Sequence, residues 1–220
     1  MQNPALREYL PFWDALTPAE QRHLDVAAVS RSFEKGARLH NGDADCNGLF
    51  LVTSGLLRVF LTSDSGREIT LYRLLERDIC LFSASCILKN IRFEVFVEAE
   101  RAAEVLVLPA QAYQAVLESS RAAAEYTSKL MASRFSDVMW VMEQVLFSSF
   151  GRRLADFLLE QRALEGGDRL TLTHEEIARH LGSAREVVTR MLRYFQSEGL
   201  VSLSRGGLTL LRPEDLAHLP

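Results

Sequence analysis

No glycine or proline interrupts the chain between Ser120 and Leu146, and the run keeps a helical pattern throughout. At roughly 100° per residue, Met131, Phe135, Val138, Met142 and Val145 fall within about 80° of one another. Some 27 residues at 1.5 Å each make ~40 Å of helix, longer than a domain of this size can cover with its own core. A helix of this kind packs against its own copy in a dimer. The alternative is a core helix lying across the part of the chain that precedes it.

That preceding part is rich in strands. Leu49-Phe-Leu-Val-Thr, Leu56-Leu-Arg-Val-Phe-Leu, Glu68-Ile-Thr-Leu-Tyr-Arg-Leu, Phe93-Glu-Val-Phe-Val-Glu-Ala-Glu and Ala103-Glu-Val-Leu-Val-Leu are short β runs. Turn signals separate them at Asn41-Gly42-Asp43, Ser54-Gly55 and Asp64-Ser65-Gly66. Many short strands at this spacing predict a small barrel or roll over residues 33–109. Residues 1–32 read as helical, with Pro11 and Pro18 as breaks.

After the long helix, Ser148-Ser149 offers a hinge before a further helix that starts around Arg152. Residues 173–198 then read as two short helices joined by a tight turn at Gly182. Thr173 and Glu176 form a predicted capping box at the first, and Ser183 and Glu186 repeat the spacing at the second. On the second helix Val187, Val188, Met191, Leu192 and Phe195 fall within an arc of about 140°, with Arg185, Glu186, Thr189, Arg190 and Arg193 opposite. An arginine on a projecting helix can reach guanine O6 and N7 through two hydrogen bonds, and a nearby carboxylate can accept from cytosine. The arrangement is that of a helix-turn-helix base reader; the plainer alternative is an amphipathic helix pair with a solvated charged face. Val201-Ser-Leu-Ser-Arg-Gly-Gly-Leu-Thr-Leu-Leu alternates with period two around Gly206-Gly207, which predicts a hairpin wing. Arg205 at its tip could touch a phosphate or simply be solvated.

The formal charge of −4 is unusual for a nucleic-acid binder, but local distribution matters more than the total. From Ser149 onward ten arginines balance ten carboxylates, so the excess acid lies earlier in the chain. The N-terminal segment is polar and charged where a signal peptide needs an apolar core, which predicts a cytoplasmic protein with no membrane partner. Three cysteines, Cys46, Cys80 and Cys86, without C-x-x-C spacing indicate neither a disulfide framework nor a zinc site.

Strand roll, long helix and winged helix-turn-helix in this order resemble the Crp/Fnr family of bacterial transcription regulators across nearly the whole chain. The most specific residues are Leu181-Gly-Ser-Ala-Arg-Glu-Val-Val-Thr-Arg-Met-Leu. Leu49-Phe-Leu-Val-Thr-Ser-Gly55, Ser65-Gly-Arg-Glu-Ile and Arg77-Asp78 agree within the roll. The resemblance implies an α+β fold: an N-terminal double-stranded β-helix (a jelly-roll-like β-roll, the cyclic-nucleotide-binding-like sensor, 1–119), a dimerisation helix (120–147) and a winged helix-turn-helix domain (148–220). It implies that Arg185, Glu186 and Arg190 read bases, that Thr189 adds a hydroxyl or methyl contact, and that His174 touches phosphate. Ser183, Arg193 and Arg205 are further phosphate candidates. By the same resemblance the protein is a homodimer on a palindromic operator in double-stranded DNA, with half-sites of the TGTGA type and RNA polymerase as a partner.

The departures concern the effector. Members that bind cyclic AMP carry a Gly-Glu pair for the ribose and an Arg-Ser for the phosphate. Here Ser83, Ala84 and Ser85 occupy the first neighbourhood, and Arg92 is followed by Phe93. Ser83, Ser85, Cys86 and Arg92 are the candidate effector-pocket residues, and these changes argue against cyclic AMP. With no cysteine before Cys46, the four-cysteine iron–sulfur cluster of the oxygen-sensing members is not expected. Cys80 and Cys86 permit a redox switch, although free cysteines are commonly small buried hydrophobes. Haem is a further cofactor in the family, and His40 and Cys46 are the candidate axial ligands, though their spacing does not require it. The small-molecule or redox effector is otherwise unidentified.

The rival class is a cupin-like metal-dependent enzyme, which needs two or three ligands facing inward from neighbouring strands. Of the five histidines only His40 lies in the roll, and no H-x-H, H-E-x-x-H, G-x-S-x-G or phosphate-cradling glycine loop occurs. A non-enzyme follows. An effector-independent interaction module is the other alternative, but it leaves the Arg185/Glu186/Arg190 face without a purpose.

Overall fold

The structure, a computed structural model, describes residues 6–42, 47–83 and 94–219. Contacts divide the chain into two compact units, one of residues 1–62 and 71–138, the other of residues 63–70 and 139–220.

The first unit begins with α1 (Leu6–Tyr9), a 3-10 turn at Trp13–Ala15 and α2 (Pro18–Ala27). Pro18 marks the expected break in the helical run, which stops at Ala15 before the next helix opens. It occupies the first turn of α2, where its missing N–H costs nothing, behind a complete Thr17/Glu20 capping box. Residues 29–32, expected to be helical, fall instead in the first strand, which pairs Val29 with Val107 through Phe33 with Ala103. The strands are β1 (Val29–Phe33), β2 (Arg38–Asn41), β3 (Leu49–Thr62), β4 (Glu68–Leu74), β5 (Ile79–Cys80) and β6 (Phe96–Leu108). They are ordered β1-β6-β3-β4, with β2 also on β6 and β5 also on β3.

One of the expected turns is a bulge within a long strand. Ser54-Gly55 does not end a strand: β3 runs through it, its register against β6 slipping between Val52 and Leu57. Gly55 has φ +88°, and a Cβ there would lie 2.2 Å from the Ala102 carbonyl oxygen, so only glycine fits. The bulge reverses which side chains point inward. Phe50 and Val52 share a core with Leu57 and Val59, an even-to-odd change along one strand, while Leu49 and Leu51 pack with Leu24, Trp13 and Tyr113 in a second core. The last two predicted strands merge likewise into β6.

The helix α3 (Ala110–Ser119) leads into α4 (Arg121–Phe147), the 27-residue helix expected from the unbroken run. Among the described residues no helix is long and apolar enough to cross a membrane.

The second unit contains α5 (Phe150–Glu165), β7 (Arg169–Leu170), α6 (His174–Leu181), α7 (Arg185–Ser197), β8 (Val201–Ser204), β9 (Gly207–Leu210) and α8 (Pro213–Ala217). Ser149 caps α5 by accepting from the Arg152 N–H. β7, β9 and β8 form a three-stranded antiparallel sheet. Leu154, Leu158, Ile177, Val188, Leu192, Phe195, Leu208 and Leu216 are fully enclosed in one core. The segment 63–70 belongs to this unit through contacts with α6: Ile69 bridges Leu181, and a Glu68 carboxylate oxygen lies 3.1 Å from the Arg179 guanidinium.

Candidate nucleic-acid interface

The first helix of the pair, α6, starts as the sequence predicts. The Thr173 hydroxyl accepts from the Glu176 N–H at 3.1 Å, and a Glu176 carboxylate oxygen accepts from the Thr173 N–H at 2.7 Å. It ends at Gly182, left-handed at φ +63°. The Ser183 N–H then reaches back to the Ala178 carbonyl at 3.0 Å, closing the last turn in the six-to-one pattern of a Schellman end.

That closure corrects one expectation. Ser183 does not cap α7, and no Ser183/Glu186 capping box forms. Ala184 holds the cap position and has no side-chain acceptor to offer. Because the Ser183 backbone finishes α6, the next helix begins one residue later than the spacing suggests. Ser183 stays half-buried in the turn.

The helix α7 buries Val188, Leu192 and Phe195 completely and turns Arg185, Glu186, Arg190 and Arg193 to the exterior. The side chains of these four make no hydrogen bond or ion pair with other described residues. Arg205 is exposed in the turn between β8 and β9, with Gly206 beside it at φ +79°.

His174 and Thr189 meet between the two helices. The Thr189 hydroxyl donates to the Arg185 carbonyl at 2.9 Å and lies 2.8 Å from Nδ1 of His174. Burial of the His174 ring, followed by the positive charges of Arg185 and Arg193, pushes its pKa below the usual histidine value.

Sequence reasoning missed three supporting residues. Arg153 on α5 donates to the Leu181 carbonyl at 3.3 Å, fixing the end of α6, and its guanidinium lies 5.5 Å from the Phe150 ring. Burial lowers the Arg153 pKa. Arg152 donates to the Ala217 and Leu219 carbonyls at 2.8 and 2.9 Å, tying α5 to the end of the chain. Thr70 reaches His180, whose ring packs 5.0 Å from that of Phe157. The Arg152-Arg153 pair is visible as sequence, as is the four-residue spacing of Arg152 to its ion-pair partner Asp156, but the backbone carbonyls that both arginines reach are not marked by sequence patterns.

In the first unit, Ser85, Cys86 and Arg92 lie outside the described residues, as does Cys46. Ser83 is fully buried and its hydroxyl donates to the Cys80 carbonyl at 3.0 Å. Cys80 is fully enclosed, and burial pushes its thiol pKa up, which opposes the thiolate that a redox switch needs. His40 is buried on β2. Arg134 on α4 stacks 4.8 Å from the Tyr72 ring and pairs with Asp78 and Asp137 at 3.4 and 3.1 Å. Desolvation holds the Tyr72 phenol well above its ordinary pKa.

Known proteins agree with this geometry. Residues 152–219 match the family model of the Crp-like helix-turn-helix domain, and residues 30–120 match that of the cyclic nucleotide-binding domain. The Cyclic AMP receptor protein of Thermus thermophilus is 28% identical over 200 residues, covering 89% of this chain and 90% of its own. The Anaerobic regulatory protein of Bacillus subtilis is 22% identical, over 87% of this chain and 83% of its own. A solved structure from Eubacterium rectale, described as a transcriptional regulator of the Crp/Fnr family, is 50% identical with a TM-score of 0.94, covering 97% of this chain and all of that one. With both domain models matched in order, and half the residues shared with a structure of that kind along its full length, the chain belongs to the Crp/Fnr family of transcription regulators.

Proposed function

We propose that the protein is a homodimeric, sequence-specific regulator that binds a two-fold symmetric operator through α7. The outward face of that helix carries the reading. Arg185, Glu186 and Arg190 are exposed and uncommitted among the described residues, and they stand on a helix that Val188, Leu192 and Phe195 seat in a core. Arg185 and Arg190 suit guanine and Glu186 suits cytosine. His174, Arg193 and Arg205, with Ser183 in the turn, supply phosphate contacts that fix the register.

The two copies meet along α4, whose Phe135, Met142 and Val145 are exposed at the spacing of a coiled-coil seam. The dimer works in the cytoplasm, acts on transcription through RNA polymerase, and performs no catalysis. One relative is named for cyclic AMP, but the Gly-Glu pair is absent here, so the effector is a different molecule or a redox signal. It acts by favouring one placement of the two recognition helices over another.

The test is selection of genomic fragments by the purified protein under reducing conditions at physiological salt. An enriched inverted repeat with half-sites about one helical turn apart is expected. No motif with the bare protein, and none after adding cyclic nucleotides, haem or oxidant, would remove the DNA-reading function.

A further inference from the structure

We infer that Thr189 reads thymine through its methyl group, and that His174 is the positioning residue that commits its hydroxyl elsewhere. The inference rests on α7 being the base-reading helix. A threonine hydroxyl has one proton to give, and a carbonyl can only accept. Thr189 Oγ1 is 2.9 Å from the Arg185 carbonyl, which takes that proton. Nδ1 of His174, 2.8 Å from the same oxygen, then carries a hydrogen and donates to it. The hydroxyl is thus held by its own helix on one side and by α6 on the other. The second heavy atom on the Thr189 Cβ is its methyl carbon, which has no such tie. Thr189 lies on the same arc of α7 as Arg185, Glu186 and Arg190. What it offers a base edge is therefore apolar, and in the major groove the apolar feature that distinguishes bases is the C5-methyl group of thymine.

The contact would be worth one buried methyl group. Replacing the thymine by deoxyuridine removes that group and leaves every hydrogen bond of the base pair in place.

The experiment takes the operator recovered by selection and replaces each thymine of a half-site in turn by deoxyuridine. Binding of the full-length protein is measured by fluorescence anisotropy. At one position the replacement should weaken wild-type binding roughly three- to fivefold per half-site, the size of one methyl burial. Thr189→Val keeps the methyl and should keep that thymine-over-uracil ratio, whereas Thr189→Ser should bring it to about one. Loss of the ratio in Thr189→Val would show that the methyl group alone does not carry the contact. A ratio unchanged in Thr189→Ser would assign the methyl contact to another residue. Either result overturns the proposal, while failure to recover any operator would overturn the DNA-reading function itself.

The positioning role has its own readout. His174→Ala should shrink the thymine-over-uracil ratio, and His174→Asn, whose amide can still donate to the Thr189 hydroxyl, should restore it. Loss of a phosphate contact would weaken the thymine and uracil operators equally, so the ratio isolates positioning. An unchanged ratio in His174→Ala would remove His174 from the mechanism.

Discussion

The Thr70 hydroxyl lies 2.9 Å from Nδ1 of His180, joining side chains 110 residues apart in sequence. Around that contact, Arg179 pairs with Glu68 at 3.1 Å and Ile69 bridges Leu181. The segment before Leu71 therefore buttresses the end of α6 and the turn that follows. Gly182 sits at the centre of this contact, left-handed at φ +63°, where a Cβ would come within 3.3 Å of the Ile69 Cβ.

Gly182→Ala should accordingly destabilise this unit in two ways. The left-handed backbone costs a side-chain-bearing residue about 1–2 kcal/mol, and crowding against Ile69 adds to it. Urea unfolding followed by circular dichroism should show a lower midpoint with an unchanged slope. A midpoint equal to wild type would mean that the turn relaxes freely and that Ile69 does not hold it.

Cys80 offers a check on the first unit. Its thiol is enclosed and its pKa raised by burial, so it should resist alkylation in the native protein near neutral pH and react once unfolded. Mass-spectrometric mapping of labelled peptides distinguishes it from the other cysteines. Rapid native labelling of Cys80 would return the redox switch to consideration.

The exposed charged face of α7, the caps of α6, the hairpin of β8 and β9 and the length of α4 could all be read from residue order, because each is set by contacts a few residues apart. Long-range registers could not. Arg58 lies in a strand whose alternation suggests a solvated side chain, yet it is fully buried, 2.7 Å from Glu98 and 4.1 Å from the Phe60 ring. Its partner is 40 residues away, and the bulge at Gly55 shifts the alternation along β3. Ser183 shows the same limit on a smaller scale. Its spacing to Glu186 fits a capping box, but its backbone is already engaged by Ala178. The committed hydroxyl of Thr189 was likewise invisible, since a helical wheel gives the face of a residue and not the rotamer of its side chain.

Arg185→Ala removes a side chain that is exposed and makes no intramolecular ion pair among the described residues, so the fold should be unaffected. Affinity for the selected operator should fall by about 1–3 kcal/mol, with a much smaller loss on random DNA. Gel-shift titrations on both probes measure the difference. Equal losses would move Arg185 from base reading to phosphate contact.

If His174 contacts phosphate as proposed, DNA binding should depend on pH with a definite sign. Burial, then Arg185 and Arg193, lower its pKa in the free protein below the unfolded value. The neutral ring is thus favoured on folding, and its contribution to stability is complete above about pH 6.5 and is lost as pH falls through the lowered folded value. A DNA phosphate reverses the preference. With Nδ1–H directed to Thr189, the ring can donate to phosphate only when its other nitrogen takes up a proton. Affinity for operator and random DNA alike should therefore rise as pH falls from about 8 to about 5.5, and His174→Asn should flatten that slope. A wild-type slope equal to that of the variant would place the phosphate away from His174.

The long helix decides whether these contacts occur once or twice per molecule. Phe135 is 65% exposed and Leu146 is 62% exposed, with Met142 and Val145 also open, so one side of α4 carries large apolar groups that the described residues do not cover. Phe135, Val138, Met142 and Val145 recur at alternating three- and four-residue steps, which is the seam of a two-stranded coiled coil. A second copy of the same helix satisfies that seam by symmetry. Sedimentation equilibrium should give about twice the 24.8 kDa chain mass. The double variant Phe135→Glu, Met142→Glu should sediment as one chain, because two carboxylates would have to be desolvated against their own copies. Its melting of isolated secondary structure should stay close to wild type, since both side chains are exposed in the single chain. Operator affinity should collapse much further than Arg185→Ala brings it, because each half-site is then bound without the effective concentration that its partner supplies. A double variant that still sediments at twice the chain mass would place the dimer contact on another surface and leave the exposed face of α4 to a different partner.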